Sequence, residues 1–184
     1  MRNLIIIYIF LGLLFLSCEK KSSRQPNTFA TQSINNTNSN TVKSEFDYSI
    51  NVIGVSDGDT FKGLTQDSIE ISFRVHGIDA PERKQDFSIK SKEKLSNLIF
   101  GKRVGIKVHT KRDRYGRPVV YVFTPDGLDV GAEMLKAGMA WHYKKYDISD
   151  SYSQLELEAQ RNKVGLWSVA NPIPPWDYRD KKVN

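Results

Sequence analysis

Five charged side chains that could bind a cation or act on a phosphate lie within one short window of the chain, residues 57–82. They are Asp57, Asp59, Arg74, Asp79 and Glu82. Two carboxylates at close range are costly unless a proton or a cation lies between them. The window offers oxygen donors and no cysteine, which is the donor set that a hard ion such as Ca²⁺ prefers. Its composition therefore favours a calcium site over a zinc site.

The remaining groups of this window suit work on a phosphate ester. Arg74 would supply a planar set of donors that matches a phosphate. Glu82, one residue after Pro81, has the chemistry of a general base that activates water. Together with a cation, these roles predict hydrolysis of a phosphodiester.

Two neighbouring strands would bring these side chains to one place. Asp57-Gly58 is a tight-turn signal that follows an apolar run over residues 51–55. Residues 69–75 alternate apolar and polar side chains, as a half-buried strand does. If the hairpin that contains this turn pairs with the strand over residues 69–75, Asp59 and Asp79 can approach each other.

A basic loop, residues 111–118, lies between two further predicted strands, 104–108 and 119–123. It carries four cations against one acid, and Arg117 lies beside a glycine and close to Tyr115. That combination suits clamping a phosphate while presenting a ring to a base. Arg117 is therefore predicted to be functional, whereas the other cations of the loop fit a solvated turn equally well.

Apolar periodicity and end signals predict three helices, over residues 87–100, 128–139 and 151–163. An aromatic and basic stretch, residues 140–146, follows the second of them. Prolines at positions 172, 174 and 175 predict an extended C-terminal tail over residues 171–184.

Three blocks of the chain, residues 57–60, 73–82 and 113–117, resemble in order the signature blocks of the staphylococcal nuclease (thermonuclease) family. The similarity extends over about residues 48–168. It implies an α+β fold, a five-stranded OB-fold β-barrel with three α-helices. It also implies Ca²⁺-dependent cleavage of DNA and RNA, for which we expect low base specificity because stacking and phosphate contacts tolerate many sequences.

The resemblance implies a catalytic set of two calcium ligands, two phosphate-binding arginines and one water activator. These are, in that order, Asp59 and Asp79, Arg74 and Arg117, and Glu82. Asp57 would support the turn without binding the ion. Ala80 departs from the threonine of the best-known members, so a hydroxyl contribution at that position is not expected.

Candidates for contact with the substrate bases are aromatic. By its position after the second helix, the stretch 140–146 resembles the family segment whose tyrosines flank the substrate base. Trp141 and Tyr143 are therefore candidates for stacking, together with Tyr115 of the basic loop. For Trp141 and Tyr143, packing within a strand is the alternative.

The N-terminus differs in kind from the rest of the chain. Arg2 precedes an apolar run over residues 4–16, so residues 1–17 have the pattern of a signal peptide and are too short to span a membrane comfortably. The run ends before Cys18 in a sequence that resembles a bacterial lipobox, which predicts lipidation of this cysteine. An ordinary secretory signal is the alternative. Because Cys18 is the chain's one cysteine, an internal disulfide framework is excluded.

These segments predict a signal peptide over 1–17, a disordered tether over 18–45, a nuclease domain over 46–170 and the tail. The tether is polar and cannot bury enough apolar surface to fold. The net charge of +6 favours a polyanion or an anionic membrane as partner. We expect a monomeric, exported nuclease of the bacterial envelope that acts on DNA, RNA or both. The rival hypothesis is a catalytically silent OB-fold module that binds nucleic acid at the cell surface.

Overall fold

The computed structural model describes residues 46–183, with side chains through Lys181. The predicted signal peptide, the predicted lipidation site at Cys18 and the whole of the predicted tether lie outside the described residues. Within the described part of the chain, no helix is both long enough and apolar enough to cross a membrane.

Seven strands and four α-helices make up this part of the chain. The strands are β1 (Tyr48–Val55), β2 (Thr60–Leu64), β3 (Glu70–Val75), β4 (Ile78–Asp79), β5 (Arg103–Thr110), β6 (Val119–Phe123) and β7 (Trp141–His142). The helices are α1 (Ser88–Ile99), α2 (Val130–Lys136), α3 (Asp150–Arg161) and α4 (Pro175–Val183), and a 3₁₀ turn spans Gly165–Ser168.

Five strands close into a barrel in the order β1-β2-β3-β6-β5. Neighbouring strands are antiparallel except for β3 and β6, which run parallel. The strands β4 and β7 form a separate antiparallel pair in which Asp79 lies opposite Trp141. A closed five-stranded barrel flanked by helices confirms the predicted α+β OB fold.

Alternating side chains of the barrel strands fill its interior, because successive residues of a strand point to opposite faces. The fully buried members are Ile50, Val52, Phe61, Phe73, Val75, Val104, Ile106, Val120 and Val122. The rings of Phe61 and Phe73 stack at 5.2 Å between centroids across the paired strands β2 and β3. Leu95 and Ile99 of α1 and Met134 of α2 extend this core.

The three predicted helices are present as α1, α2 and α3. Helix α1 ends before Gly101, which has the positive φ of 71° typical of a glycine after a helix. Helix α2 begins after Asp129, whose carboxylate accepts a hydrogen bond from the amide of Ala132 at 3.2 Å. The end signals at Gly101 and Asp129 therefore marked the end of α1 and the start of α2 correctly. Helix α3 begins one residue before the predicted start, after Ser149.

The prediction of an extended tail over residues 171–184 is wrong for residues 175–183, which form α4 as a fourth helix. Pro175 occupies the first helical position, where a missing amide hydrogen has no cost. Asp177 lies in the first turn, where a negative charge is favourable. The clustered prolines therefore end the preceding segment and begin a helix.

A buried polar cluster around Asp147 joins the end of β3, β7 and the start of α3. His142 Nε2 lies 2.8 Å from Asp147 Oδ2, and His76 Nε2 lies 3.6 Å from Asp147 Oδ1. The hydroxyl of Ser149 also donates to Asp147 Oδ2 at 2.6 Å. The ring of His76 stacks on His109 with 3.7 Å between centroids. Three histidines that are scattered in the sequence therefore meet in one region of the fold.

We predict that Gly58→Ala destabilises the protein by about 1–3 kcal/mol, because overpacking in a close-packed region costs that much. A Cβ at position 58 would meet the side chain of the fully buried Ser91 and would lie 2.7 Å from the Cβ of Ala80. The free energy of unfolding in urea measures the effect. Gly54→Ala is the matched control, since its Cβ would lie 3.9 Å from the nearest atom, on Lys62. Equal stability of the two variants would contradict the packing described for Gly58.

Acidification should destabilise the fold in part through His76. Burial, and after it the neighbouring His109, lowers the pKa of His76 below its ordinary value, although Asp147 opposes the shift. Below about pH 6.5 the unfolded chain therefore takes up a proton that the folded chain resists. The stabilising contribution is complete above that pH and is lost as the pH falls through the lower folded pKa.

The free energy of unfolding in urea at about pH 7.5 and about pH 5 tests this effect in the wild type and in His76→Gln. The variant should lose less stability than the wild type over this interval. Burial and the charge of Asp59 raise the pKa of Asp57 to about 6, so Asp57 titrates with the opposite sign, but it does so in both proteins. Parallel losses in the two proteins would show that His76 is not responsible.

Candidate active site

The predicted catalytic side chains line one open cleft on the side of the barrel. Asp59, Arg74, Glu82 and Arg117 all contribute to its wall. Asp79 does not line the cleft; it is 1% exposed and accepts a hydrogen bond at 2.8 Å from Arg74, which does. The structure therefore brings together residues from the turn before β2, from β3 and β4, and from the loop before β6.

Arg74 lies between the two aspartates that were predicted as calcium ligands. Its Nη1 donates to Asp59 Oδ1 at 2.6 Å, and its Nη2 donates to Asp79 Oδ1 at 2.8 Å. A third hydrogen bond, from Nη2, reaches the carbonyl oxygen of Ile78 at 3.2 Å. The Arg74 side chain is 18% exposed. It therefore acts as the counter-charge of two buried carboxylates, a role that sequence reasoning did not assign to it.

The backbone fixes the position of Asp59. Its carbonyl oxygen accepts from the amide of Val75 at 2.8 Å, and its carboxylate Oδ2 accepts from the amide of Ala80 at 2.8 Å. The carboxylate of Asp57 accepts from the amide of Asp59 at 3.1 Å. Asp57 thus supports the turn, and Asp59 faces the segment that carries Asp79.

Crowding of the carboxylates shifts their proton affinities. Burial, followed by the charge of Asp59, raises the pKa of Asp57 to about 6. Burial also raises the pKa of Asp79, against the opposing effect of its arginine partners. Burial alone would lower the pKa of Arg74, but the charges of Asp59 and Asp79 outweigh it and raise that pKa. The cluster therefore favours an additional positive charge.

The donor set suits a hard divalent cation. Asp59 and Asp79 provide carboxylate oxygens alone, and Ca²⁺ completes its coordination with backbone carbonyls and water. Across residues 46–183, no group of three or more His, Cys, Asp or Glu side chains forms a metal-binding cluster. A zinc site of the usual three or four protein ligands is thus not supported by the described residues, whereas a two-carboxylate calcium site fits their chemistry.

Glu82 lies beside the two aspartates and is held by contacts to the C-terminal segment. Its amide donates to the side-chain oxygen of Gln85 at 2.9 Å, and the amide group of Gln85 donates to the carbonyl of Ile173 at 2.6 Å. The Glu82 side chain is 36% exposed. A water molecule in the cleft can therefore reach this carboxylate, as a general base requires.

Arg117 is connected to the same cluster through Thr60. Its Nε and Nη2 donate to Asp113 Oδ2 at 2.9 and 2.8 Å, and its Nη1 donates to the hydroxyl of Thr60 at 3.0 Å. That hydroxyl in turn donates to Asp59 Oδ1 at 3.0 Å. The Asp113 carboxylate also accepts from the amides of Tyr115 and Arg117, which shapes the loop. The loop thereby holds the guanidinium at the cleft.

The aromatic candidates differ in their surroundings. Tyr115 is exposed, and the guanidinium carbons of Arg114 and Arg117 lie 4.8 and 5.2 Å from its ring centre. Its ring is therefore available to a base.

Trp141 is half-buried and packs against Trp167 and Trp176, at 4.3 and 5.8 Å between ring centroids. Tyr143 stacks face to face on Trp176, at 5.3 Å and an interplanar angle of 3°. Helix α4 therefore covers one face of Tyr143. The roles of Trp141 and Tyr143 in substrate stacking stay predictions.

Arg179 of α4 is a residue of the cleft that sequence reasoning missed. Its Nη2 donates to Asp79 Oδ2 at 2.8 Å, and its Nη1 donates to Glu82 Oε1 at 2.6 Å. The sequence did contain a signal for the helix, namely Pro175 at a helical first position, but no signal for the contact. The partners of Arg179 lie 100 and 97 residues earlier in the chain.

Comparison with known proteins identifies relatives over this part of the chain. Residues 72–169 match the sequence model of a family described as Staphylococcal nuclease homologue. An uncharacterized endonuclease of Escherichia coli O157:H7 is 40% identical over 131 residues, which cover 71% of this chain and 84% of that protein.

Two further relatives come from a bacterium and a plant. An uncharacterized endonuclease of Haemophilus influenzae is 40% identical over 134 residues, which cover 72% of this chain and 74% of that protein. Staphylococcal-like nuclease CAN1 of Arabidopsis thaliana is 39% identical over 109 residues, or 59% of this chain and 33% of that protein. The family match spans more than half of this chain. The chain therefore belongs to the staphylococcal nuclease family.

Proposed function

We propose that this protein is a Ca²⁺-dependent nuclease that hydrolyses phosphodiester bonds of DNA, RNA or both with low sequence specificity. The observation that carries the proposal is the pair of buried carboxylates bridged by Arg74 beside the accessible carboxylate of Glu82. Membership in a nuclease family supports the same reaction class.

Asp59 and Asp79 would hold the cation through their carboxylate oxygens. When bound, Ca²⁺ would supply Lewis-acid activation of the phosphate and a template for its orientation. The supporting feature is the pair of buried carboxylates, Asp59 and Asp79. Burial, and after it the charge of Asp59, raises the pKa of Asp57, and burial also raises the pKa of Asp79.

Glu82 would take a proton from the attacking water onto its exposed carboxylate. The hydrogen bond from its amide to Gln85 fixes the main chain beside Asp79. The fixed backbone and the accessible carboxylate support this role, because a general base must be held within reach of the proton that it takes.

Arg117 and Arg74 would stabilise the negative charge that develops on the phosphate oxygens. Arg117 is oriented by Asp113 and Thr60 and keeps its guanidinium at the cleft wall. Arg74 would contribute chiefly through its charge, because its guanidinium donates hydrogen bonds to Asp59, Asp79 and Ile78. Both arginines would therefore stabilise the same developing charge, Arg117 from the cleft wall and Arg74 chiefly through its charge.

Tyr115 would stack on a base of the substrate. Its ring is exposed, and the guanidinium groups of Arg114 and Arg117 beside it could attract a phosphate of the substrate backbone. Every base offers a π face, so such a contact discriminates little between sequences. Low base specificity follows.

We also propose that the protein is exported, monomeric and anchored to the bacterial cell envelope by a lipid on Cys18, with simple secretion as the alternative. The support is the sequence of residues 1–18, in which a charged start and an apolar run precede the cysteine. Such a tether would let the nuclease domain act on nucleic acid outside the cytoplasm.

Glu82→Gln should reduce the rate of Ca²⁺-dependent cleavage by about 10²- to 10⁴-fold, the usual contribution of a general base. Its affinity for Ca²⁺ should change little, because Asp59 and Asp79 remain. Asp59→Asn should instead weaken the binding of Ca²⁺ itself. Cleavage of single-stranded DNA and calorimetric titration of Ca²⁺ separate the two effects.

Glu93→Gln is the matched control, since Glu93 is exposed on α1 and the same charge is removed outside the cleft. It should cleave like the wild type. Full activity of folded Glu82→Gln would rule out water activation by this residue. Unchanged Ca²⁺ affinity of Asp59→Asn would rule out the proposed cation site, and binding without cleavage by the wild type would favour the silent binding module.

Cys18→Ser should abolish acyl labelling and release the protein from membranes into the soluble fraction. The reason is that the lipid on Cys18 is the proposed anchor. Several acyl chains on one cysteine give firm retention. Metabolic labelling with a fatty acid and fractionation of the cells measure both effects, and membrane retention of the variant would contradict the lipoprotein proposal.

A further inference from the structure

The C-terminal helix α4 brings a fixed positive charge to the proposed cation site. The guanidinium of Arg179 contacts both carboxylate oxygens of Asp79, with Nη1 at 3.3 Å from Oδ1 and Nη2 at 2.8 Å from Oδ2. Its Nη1 also donates to Glu82 Oε1 at 2.6 Å. One side chain thereby joins a proposed metal ligand to the proposed general base.

The carboxylate oxygens that a cation would need are the ones that Arg179 uses. Asp79 Oδ1 accepts from both Arg74 and Arg179, and Asp79 Oδ2 accepts from Arg179. A divalent ion coordinated by Asp79 would approach a guanidinium that lies in hydrogen-bond contact with the same carboxylate. Like charges at such a distance repel each other, and one carboxylate cannot satisfy both partners fully.

Arg74 and Arg179 differ in how easily they can yield to a cation. Arg74 lies on a barrel strand, is 18% exposed and holds Asp59 as well. Arg179 is 32% exposed and lies on a terminal helix of nine residues. A helix of this length is marginal by itself and depends on its contacts to the rest of the domain. Arg179 is therefore the partner that a cation would displace.

The contacts of α4 connect this ion pairing with the aromatic part of the cleft. Trp176, three residues before Arg179, stacks face to face on Tyr143. The side chain of Gln85, which also holds the amide of Glu82, donates to Ile173 just before the helix. Loss of the Arg179 contacts would therefore loosen the segment that covers Tyr143.

We propose that Arg179 is a positioning residue that sets the cation affinity of the site by competing with the divalent ion for Asp79. The inference rests on the proposed Ca²⁺ site and adds a built-in competitor to it. Because coupling between two equilibria is reciprocal, cation binding weakens the hold of Arg179 and loosens α4, while a docked α4 weakens cation binding. The same movement exposes the covered face of Tyr143 to substrate.

Calorimetric titration of Ca²⁺ into the full chain, purified in detergent, tests the competition. Arg179→Gln should bind Ca²⁺ about tenfold more tightly than the wild type, a modest factor because the charge-assisted pairs it loses are partly exposed. Lys181→Gln is the matched control, since it removes one positive charge from the same helix at an exposed position. It should bind Ca²⁺ within about twofold of the wild type, as expected for a screened surface charge.

The Ca²⁺ dependence of the difference in melting temperature between Arg179→Gln and the wild type is a readout that a merely structural contact would not change. With chelator present, Arg179→Gln should melt below the wild type, because Asp79 and Glu82 lose a counter-charge. With saturating Ca²⁺ this difference should vanish or reverse, since tighter binding to the folded state stabilises it more. A purely structural role for Arg179 would lower the melting temperature equally in both conditions.

The outcomes separate this inference from the function on which it rests. Equal or weaker Ca²⁺ binding by Arg179→Gln, with normal binding by the wild type, would overturn the competition and leave the calcium site intact. Absence of Ca²⁺ binding from the wild type and from both variants would overturn the calcium site and the competition together. A gain in Lys181→Gln as large as that in Arg179→Gln would reduce the effect to net charge and would also overturn the competition.

Discussion

The site depends on one interaction, the guanidinium of Arg74 between the carboxylates of Asp59 and Asp79. Two carboxylates that are 4% and 1% exposed would repel each other and lose hydration without a counter-charge. Pairing of Thr60 with Arg74 across β2 and β3 aligns the strands so that one side chain reaches both acids. The register of β2 and β3 therefore determines whether Arg74 can reach both carboxylates.

Further hydrogen bonds connect Asp59 and Asp79 to two more arginines. On one side, Thr60 connects Asp59 to Arg117 of the basic loop. On the other, Arg179 connects Asp79 to Glu82. Such an arrangement orients each side chain by its neighbour before substrate arrives, and preorganised charges are the main source of rate acceleration in phosphoryl transfer. A cation that binds Asp59 and Asp79 must therefore displace some of these hydrogen-bonded ion pairs.

Local signals account for most of what the sequence predicted. Strand alternation over residues 69–75 and the turn at Asp57-Gly58 depend on neighbours within a few residues, so the barrel hairpin and the window 57–82 were recognisable. Arg179 was not, because its partners lie about a hundred residues earlier and no periodicity encodes that contact. Helix α4 was missed since a proline that begins a helix resembles one that prevents it.

The most direct test of the account is the metal dependence of cleavage by the full chain. Single-stranded DNA is incubated with the protein in Ca²⁺, in excess chelator, and in chelator followed by an excess of Ca²⁺. A Ca²⁺-dependent nuclease should cleave the DNA in the first condition, leave it intact in the second and cleave it again in the third. Cleavage that continues undiminished in chelator, or DNA binding in Ca²⁺ with no cleavage, would contradict it.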